Sequence, residues 1–250
     1  MASFILVPGA WHGGWCFERL RPLLESAGHE VIAVDLPGMG ADDTTIATVT
    51  LAQWADHVAG LVAGAQAPVI LCGHSRGGIV ISEAAEKAPD KVAALVYIAA
   101  MMYGPDFDRH EYRARSLPNP DFEAIVTPVA GGAASLVDPA RAASVIAHLA
   151  PPEAAAEMAE KLVAEPAGPR RTALSVTWER YGRIPRHYVE CVQDKAIPLA
   201  DQRLMQEMHP GASVVTMDTD HSPHLSAPED LAKVLIGVAE QVSALEKGEA

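Results

Sequence analysis

Leu71-Cys-Gly-His-Ser-Arg-Gly-Gly-Ile-Val80 is an apolar run that stops at a glycine, turns through a histidine, a serine and an arginine, and re-enters apolar sequence through two more glycines. The residues before the turn, Pro68-Val-Ile-Leu-Cys72, are continuously apolar, as in a strand buried on both faces. The residues after it, from about Arg76 to Lys87, are spaced as a helix. Gly73-His-Ser75-Arg-Gly77 therefore joins a buried strand to a helix. A serine on such a turn needs small residues two positions to either side, because backbone and helix pass close by. Glycines 73 and 77 meet that need, and Gly78 lets the helix pack close. The turn lifts the Ser75 hydroxyl above the strand end and sets the Arg76 amide at a helix N-terminus, where it can donate to an oxyanion. A plain turn with a solvated serine carries the same five letters, so the placement between strand and helix gives the motif its weight.

Working outward, Ser3–Val7, Glu30-Val-Ile-Ala-Val-Asp35 and Val92–Ala100 are three more apolar strands. Helical spacing runs from Trp15 to Ala27, ending at Gly28, and from a Thr50…Gln53 capping box to about Ala63. The rhythm breaks after Met102. Residues 105–184 are rich in Ala, Pro, Arg and Glu, with helical stretches near 139–149 and 152–164 and no strong strand. Alternation resumes with a strand at His187–Val192, a helix near 200–208, a strand at Ser213–Met217 and a last helix at about 227–245. The pattern predicts an α/β fold: a mostly parallel sheet with helices on both faces, built from residues 1–104 and 185–250, and a helical lid insertion over 105–184.

Composition narrows the function. The chain has 250 residues, 49% of them hydrophobic, enough for one sizeable core. Its net charge of -13 repels phosphates, so neither nucleic acid nor an anionic membrane is an expected partner. The longest apolar run, Val92–Met102, is too short to span a bilayer. Three scattered cysteines and the lack of a basic leader ahead of Ser3–Val7 point to a reducing, cytoplasmic setting. A homodimer is left open.

A nucleophilic serine on this turn needs an acid and then a histidine later in the chain. The strand Val92–Ala100 is followed by Met-Met-Tyr-Gly, without an acid, whereas His187–Val192 leads to Gln193-Asp194, so Asp194 is the candidate acid. Beyond the last strand, Thr216-Met-Asp-Thr-Asp-His-Ser-Pro-His-Leu-Ser226 offers His221 and His224. Asp218, Asp220 and His221 imitate a metal cluster, but no second histidine stands at ligand spacing, so no metal is expected. A second oxyanion donor belongs on the loop after the first strand, where Gly9 permits a tight backbone and Ala10 is the candidate. Trp11 and His12 of that loop, with Met102, Tyr103 and Trp178 beyond it, are candidate substrate-binding residues, and Met101, Phe107 and Phe122 are further candidate pocket walls. His12 is as well suited to holding its own loop.

These segments together resemble the α/β-hydrolase superfamily, in the branch holding plant methylesterases, hydroxynitrile lyases and bacterial pyrethroid-type carboxylesterases. Val7-Pro-Gly-Ala-Trp-His-Gly-Gly-Trp-Cys-Phe17, Val34-Asp-Leu-Pro-Gly-Met-Gly40, Cys72–Gly78, Cys191-Val-Gln-Asp-Lys-Ala-Ile-Pro198 and Asp220-His-Ser-Pro-His-Leu-Ser226 stand in family order. The resemblance runs nearly end to end and is weakest over the insertion, the family's lid. It implies His221 rather than His224 as base, and Asp194 as acid. It also implies a serine carboxylic ester hydrolase working through an acyl-enzyme, without a cofactor, on small to medium esters with apolar acyl or aryl groups. Hydroxynitrile lyase and lactonase are the alternatives on the same fold. Lyases of the S-selective kind carry lysine after the base, where this chain has Ser222, and threonine where it has Gly9; the R-selective kind carry asparagine at that second position. Pro8 departs from relatives that carry histidine there.

Two rivals come from other classes. Dinucleotide binding would want glycine spacing that residues 8–15 lack, and Trp11 and Trp15 stand where a pyrophosphate needs room. A non-enzymatic small-ligand receptor on the same fold would have no need of a complete Ser, Asp and His set.

Overall fold

The computed structural model describes residues 1–248. A six-stranded parallel sheet organises the chain, in the order β2-β1-β3-β4-β8-β9. Its first four strands are β1 (Ser3–Val7), β2 (Glu30–Ala33), β3 (Val69–His74) and β4 (Val92–Ile98). Between them run α1 (Arg21–Ser26), α2 (Leu51–Gly64) and α3 (Gly77–Lys87). Every residue of β1 and β3 is buried, as their unbroken apolar composition requires of strands covered on both faces. Two apolar layers result. Val7, Leu71, Leu95 and Tyr97 join Trp54, Val58 and Val80 of α2 and α3 on one face. Phe4, Leu6, Ile70 and Val96 join Leu24 of α1 and Leu231, Leu235 and Val238 of the last helix on the other. Each such fully buried aliphatic side chain stabilises the fold by about 1.5–3 kcal/mol relative to exposure.

The single helix expected over 15–27 is two pieces, a 3₁₀ turn at Gly14–Phe17 and then α1. Pro22 stands at the start of α1, where its missing N–H and fixed φ are tolerated; deeper in one continuous helix it would clash with the preceding turn. The Thr50–Gln53 capping box forms as expected, with both reciprocal hydrogen bonds present.

Between β4 and β8 the chain holds α4 (Arg109–Arg115), α5 (Pro120–Glu123), α6 (Pro139–Ile146), α7 (Pro152–Lys161) and α8 (Ala167–Arg171). It also holds a three-stranded antiparallel sheet of β5 (Val126–Val129), β6 (Ala134–Val137) and β7 (Glu165–Pro166). The insertion, expected to be helical with no strong strand, is corrected to helices plus this small sheet. These strands are four residues or fewer, one carries Pro128, and their turn uses left-handed Ala130, Gly131 and Gly132. Segments that short, with prolines in them, leave little alternation to read.

The core then resumes with β8 (Arg186–Cys191), α9 (Leu199–Met208), β9 (Ala212–Met217), α10 (Pro223–Ser226) and α11 (Pro228–Lys247). The ends of β1, β3, β8 and β9 thus carry Ala10, Trp11, His12, Ser75, Arg76, Asp194 and His221. Among the described residues, no helix is long and apolar enough to cross a membrane.

Candidate active site

Ser75 sits at the tip of the β3–α3 turn with φ of 51°, a left-handed conformation that costs a non-glycine residue about 1–3 kcal/mol. The turn is over-determined. The Ser75 amide donates to the Ile98 carbonyl, and its carbonyl accepts from the amides of Gly78 and Met101. There is no room for side chains beside it. A Cβ on Gly73 would lie 2.7 Å from the Gly77 backbone, and one on Gly77 would lie 2.6 Å from the Val7 carbonyl oxygen.

The hydroxyl Oγ of Ser75 is 2.9 Å from Nε2 of His221, on the loop after β9. Nδ1 of the same ring is 2.7 Å from Oδ2 of Asp194, on the loop after β8. Ser75 stands 146 positions from His221, and His221 stands 27 from Asp194, yet the three candidates form one continuous hydrogen-bonded line. Asp194 is buried, and its remaining lone pairs are used. Oδ1 accepts from the amides of Ala196 and Ile197, and Oδ2 also accepts from Nε2 of Gln202 at 3.1 Å. An acid so held fixes the orientation of the imidazole that it accepts from. His221 is steadied from behind, where Nε2 of buried His74 donates to its carbonyl at 2.8 Å. Its loop is tied down by Asp220, whose carboxylate accepts from the Ser222 and Leu149 amides and the Ser226 hydroxyl. His224 lies away from the line, buried against Phe17 and His74 with neither ring nitrogen partnered in the protein.

A cavity of about 60 Å³ opens at Ser75 and His221. Ala10, Trp11, His12, Arg76 and Met101 line it from the core side, and Phe122 and Ile146 from the insertion. Among the described residues, neither the Ala10 nor the Arg76 amide donates to another protein group. Both oxyanion candidates therefore keep a free N–H in residues that line the same cavity as Ser75. His12 bonds the Ala10 carbonyl through Nδ1, so it both lines the cavity and holds the loop. Burial lowers its pKa to about 4, against the pull of that hydrogen bond, so at neutral pH it carries no charge into the cavity.

Of the expected pocket walls, Met101 and Phe122 line the cavity, and Met102, Tyr103, Phe107 and Trp178 lie elsewhere. Met102 and Tyr103 are buried in the core layer with Leu95 and Tyr188, and Tyr103 stacks on Phe107. Successive residues on an extended stretch face opposite sides, so it is Met101 that meets the cavity. Trp178 is half exposed, bonds Asp106 through its indole N–H and packs on His209. Gln202, Ile146 and Ile197 were absent from the expected set. Gln202 is one more polar residue on an amphipathic helix, and Ile146 and Ile197 are one apolar residue each on α6 and a loop, so nothing local marks them.

Comparison with known proteins gives the family. Residues 4–234 match the alpha/beta hydrolase family, and the chain belongs to it. Among its relatives, the pyrethroid hydrolase of Sphingobium wenxiniae is 32% identical over 248 residues, covering 96% of this chain and 88% of that protein. Methyl jasmonate esterase 1 of Vitis vinifera is 32% identical over 257 residues, covering 96% of this chain and 97% of the esterase. The crystal structure of a pyrethroid hydrolase from Sphingobium faniae superposes with a TM-score of 0.84 at 30% identity, covering 99% of this chain and all (100%) of that one.

Proposed function

We propose that the protein is a serine carboxylic ester hydrolase in which Ser75 is the nucleophile, His221 the base and Asp194 its orienting acid. The observation that carries this reading is the unbroken Ser75–His221–Asp194 hydrogen-bond line beside two free amides. His221 takes the Ser75 proton as Oγ attacks the ester carbonyl. The oxyanion accepts hydrogen bonds from the Ala10 and Arg76 amides. As the tetrahedral adduct collapses, His221 returns the proton to the departing alcohol. Water then repeats the sequence on the acyl-enzyme, and the acid leaves. No metal or organic cofactor enters any step.

The cavity sets the substrate class. At about 60 Å³ it is far below the roughly 300 Å³ at which pockets begin to take drug-sized ligands. Apart from Ser75 and His221 themselves, its walls are apolar but for His12, His74 and Arg76. The apolar lining supports an ester with an apolar acyl or aryl part, the volume supports the small end of the small to medium range, and residues 105–184 are read as the lid over a core of 1–104 and 185–250. Cyanohydrin cleavage would need a free cation near the leaving group. Lys195 is exposed outside the lining, Ser222 is neutral, and Arg76 is already paired.

The test is a panel of p-nitrophenyl esters of graded chain length, with methyl esters, lactones and mandelonitrile beside them. Short acyl chains are expected to turn over fastest, and mandelonitrile to stay at background. Ser75→Ala and His221→Ala should each lower kcat by roughly 10³-fold or more, and Asp194→Asn by up to about 10⁴-fold, with folding intact. Near-normal ester turnover in pure Ser75→Ala would end this reading.

A further inference from the structure

The Arg76 side chain does not follow its backbone into the oxyanion site. Its Nε lies 2.5 Å from Oε1 of Glu165, which belongs to β7 of the insertion and is only 1% exposed. The opposite oxygen of that carboxylate, Oε2, accepts from the Ser135 hydroxyl of β6 at 3.5 Å, across the register pair Ser135–Glu165. Ser135 in turn accepts from Nε1 of Trp11 at 3.2 Å. Trp11 follows Ala10 directly and holds a left-handed φ of 62°. Its carbonyl accepts from the amide of Val163, two residues before Glu165.

Both residues that supply or adjoin an oxyanion donor therefore reach, through their side chains, one buried carboxylate on the small sheet. Burying a charged group without a partner is costly, so Glu165 holds Arg76 as firmly as Arg76 holds it. Burial raises the Glu165 pKa while the Arg76 and Arg170 guanidiniums oppose that rise, which makes the carboxylate's charge depend on this contact.

We infer that Glu165 is a positioning residue for catalysis: with Ser135 it clamps Arg76 and Trp11, and so fixes the spacing of the Ala10 and Arg76 amides around the oxyanion. The inference rests on the ester-hydrolase reading of Ser75. The small sheet then has a task beyond roofing the pocket. A donor that keeps its N–H but loses its place stabilises the developing charge less, while the ground-state ester, which needs no such alignment, binds as before.

Glu165→Gln and Ser135→Ala are the test variants, with kcat, KM and the Ki of a trifluoromethyl ketone measured on each. A trifluoromethyl ketone forms a tetrahedral adduct whose oxyanion sits where the ester's would. Glu165→Gln should lower kcat by about 10- to 100-fold and weaken the inhibitor in parallel, with KM within about two-fold of wild type. Ser135→Ala should do the same more mildly, and the two losses should fail to multiply when combined, since both act through one carboxylate. Because Glu165→Gln strands the Arg76 charge, Arg76→Ala/Glu165→Gln removes both. It should melt near the wild-type temperature and still show the kcat loss. Unchanged kcat and inhibitor affinity in that folded double variant would overturn the inference, as would a loss confined to KM. Failure of the hydrolase reading looks different: ester turnover would then survive Ser75→Ala.

Discussion

Gln202 shows how much of this site depends on a residue that does no chemistry. Its side chain accepts from the Cys191 amide and donates to the carbonyls of Cys191 and Ile197 and to Oδ2 of Asp194, so one buried amide joins the end of β8 to the acid loop. Asp194 needs those contacts. It receives the His221 proton side from one direction only, and every other donor around it sets where that oxygen points. Gln202→Ala should therefore act twice. Leaving the Cys191 amide and the Ile197 carbonyl without this partner should cost about 1–3 kcal/mol in urea denaturation. The looser carboxylate should lower kcat about 10-fold with KM nearly unchanged. A stability loss with full kcat would show that the two backbone amides hold Asp194 well enough alone.

At the scale of elements, the decisive contact is α3 against β1. Gly77 opens α3 and faces the Val7 and Pro8 carbonyls, 2.6 and 2.8 Å from where a Cβ would stand. The backbone it touches runs directly into Gly9 and Ala10, so the distance between elbow and oxyanion loop is set by the absence of that methyl. Gly77→Ala should push the two apart, costing about 1–3 kcal/mol of stability and at least 10-fold in kcat. Gly60→Ala is the matched control. Gly60 is exposed inside α2 with open space around it, and alanine there should raise stability by about 0.5–1 kcal/mol and leave kcat alone. Equal effects at both positions would deny the close packing its part. The same contrast explains what was legible from residue order. The glycine spacing around Ser75 and the continuous apolar strands are local signals, whereas Asp194 follows from chain order and His221 is preferred to His224 only through the family resemblance. The small sheet of the insertion was hidden because its strands are too short for a period. The pocket wall was partly misread because neighbours such as Met101 and Met102 differ only in the side they face, which the sheet decides. Glu165 and Ser135 pair across 30 positions, and no local pattern announces a contact of that kind.

For the whole molecule, four buried histidines, His12, His74 and His224 around the site and His209 against Tyr181, govern how the protein meets acid. His12 and His209 are lowered to about 4, and His74 and His224 well below their ordinary value, each chiefly by burial. In the unfolded chain all four return to about 6.5. Between about pH 6.5 and 4 the unfolded state therefore binds protons that the folded state refuses. Stability follows the proton excess of the unfolded state, so it falls as pH falls through that window. A shift from 6.5 to about 4 costs roughly 2 kcal/mol per histidine at pH 5, a large share of the 5–15 kcal/mol typical of a domain. Glu83, Glu165 and Asp201 pull the other way. Burial raises their pKa, so on acidification the folded state takes their protons first. His224→Leu separates the two groups. Neither ring nitrogen of His224 has a partner in the protein, and its ring lies against Phe17 and His74, so an aliphatic side chain loses no hydrogen bond and removes one titrating base. Melting temperatures should match wild type or exceed it at pH 7.5, and the advantage should widen steadily to pH 5, since one fewer proton is taken up on unfolding. Parallel melting curves for the two proteins across that range would mean that His224 is already charged in the fold, or that the carboxyl groups carry the acid response instead.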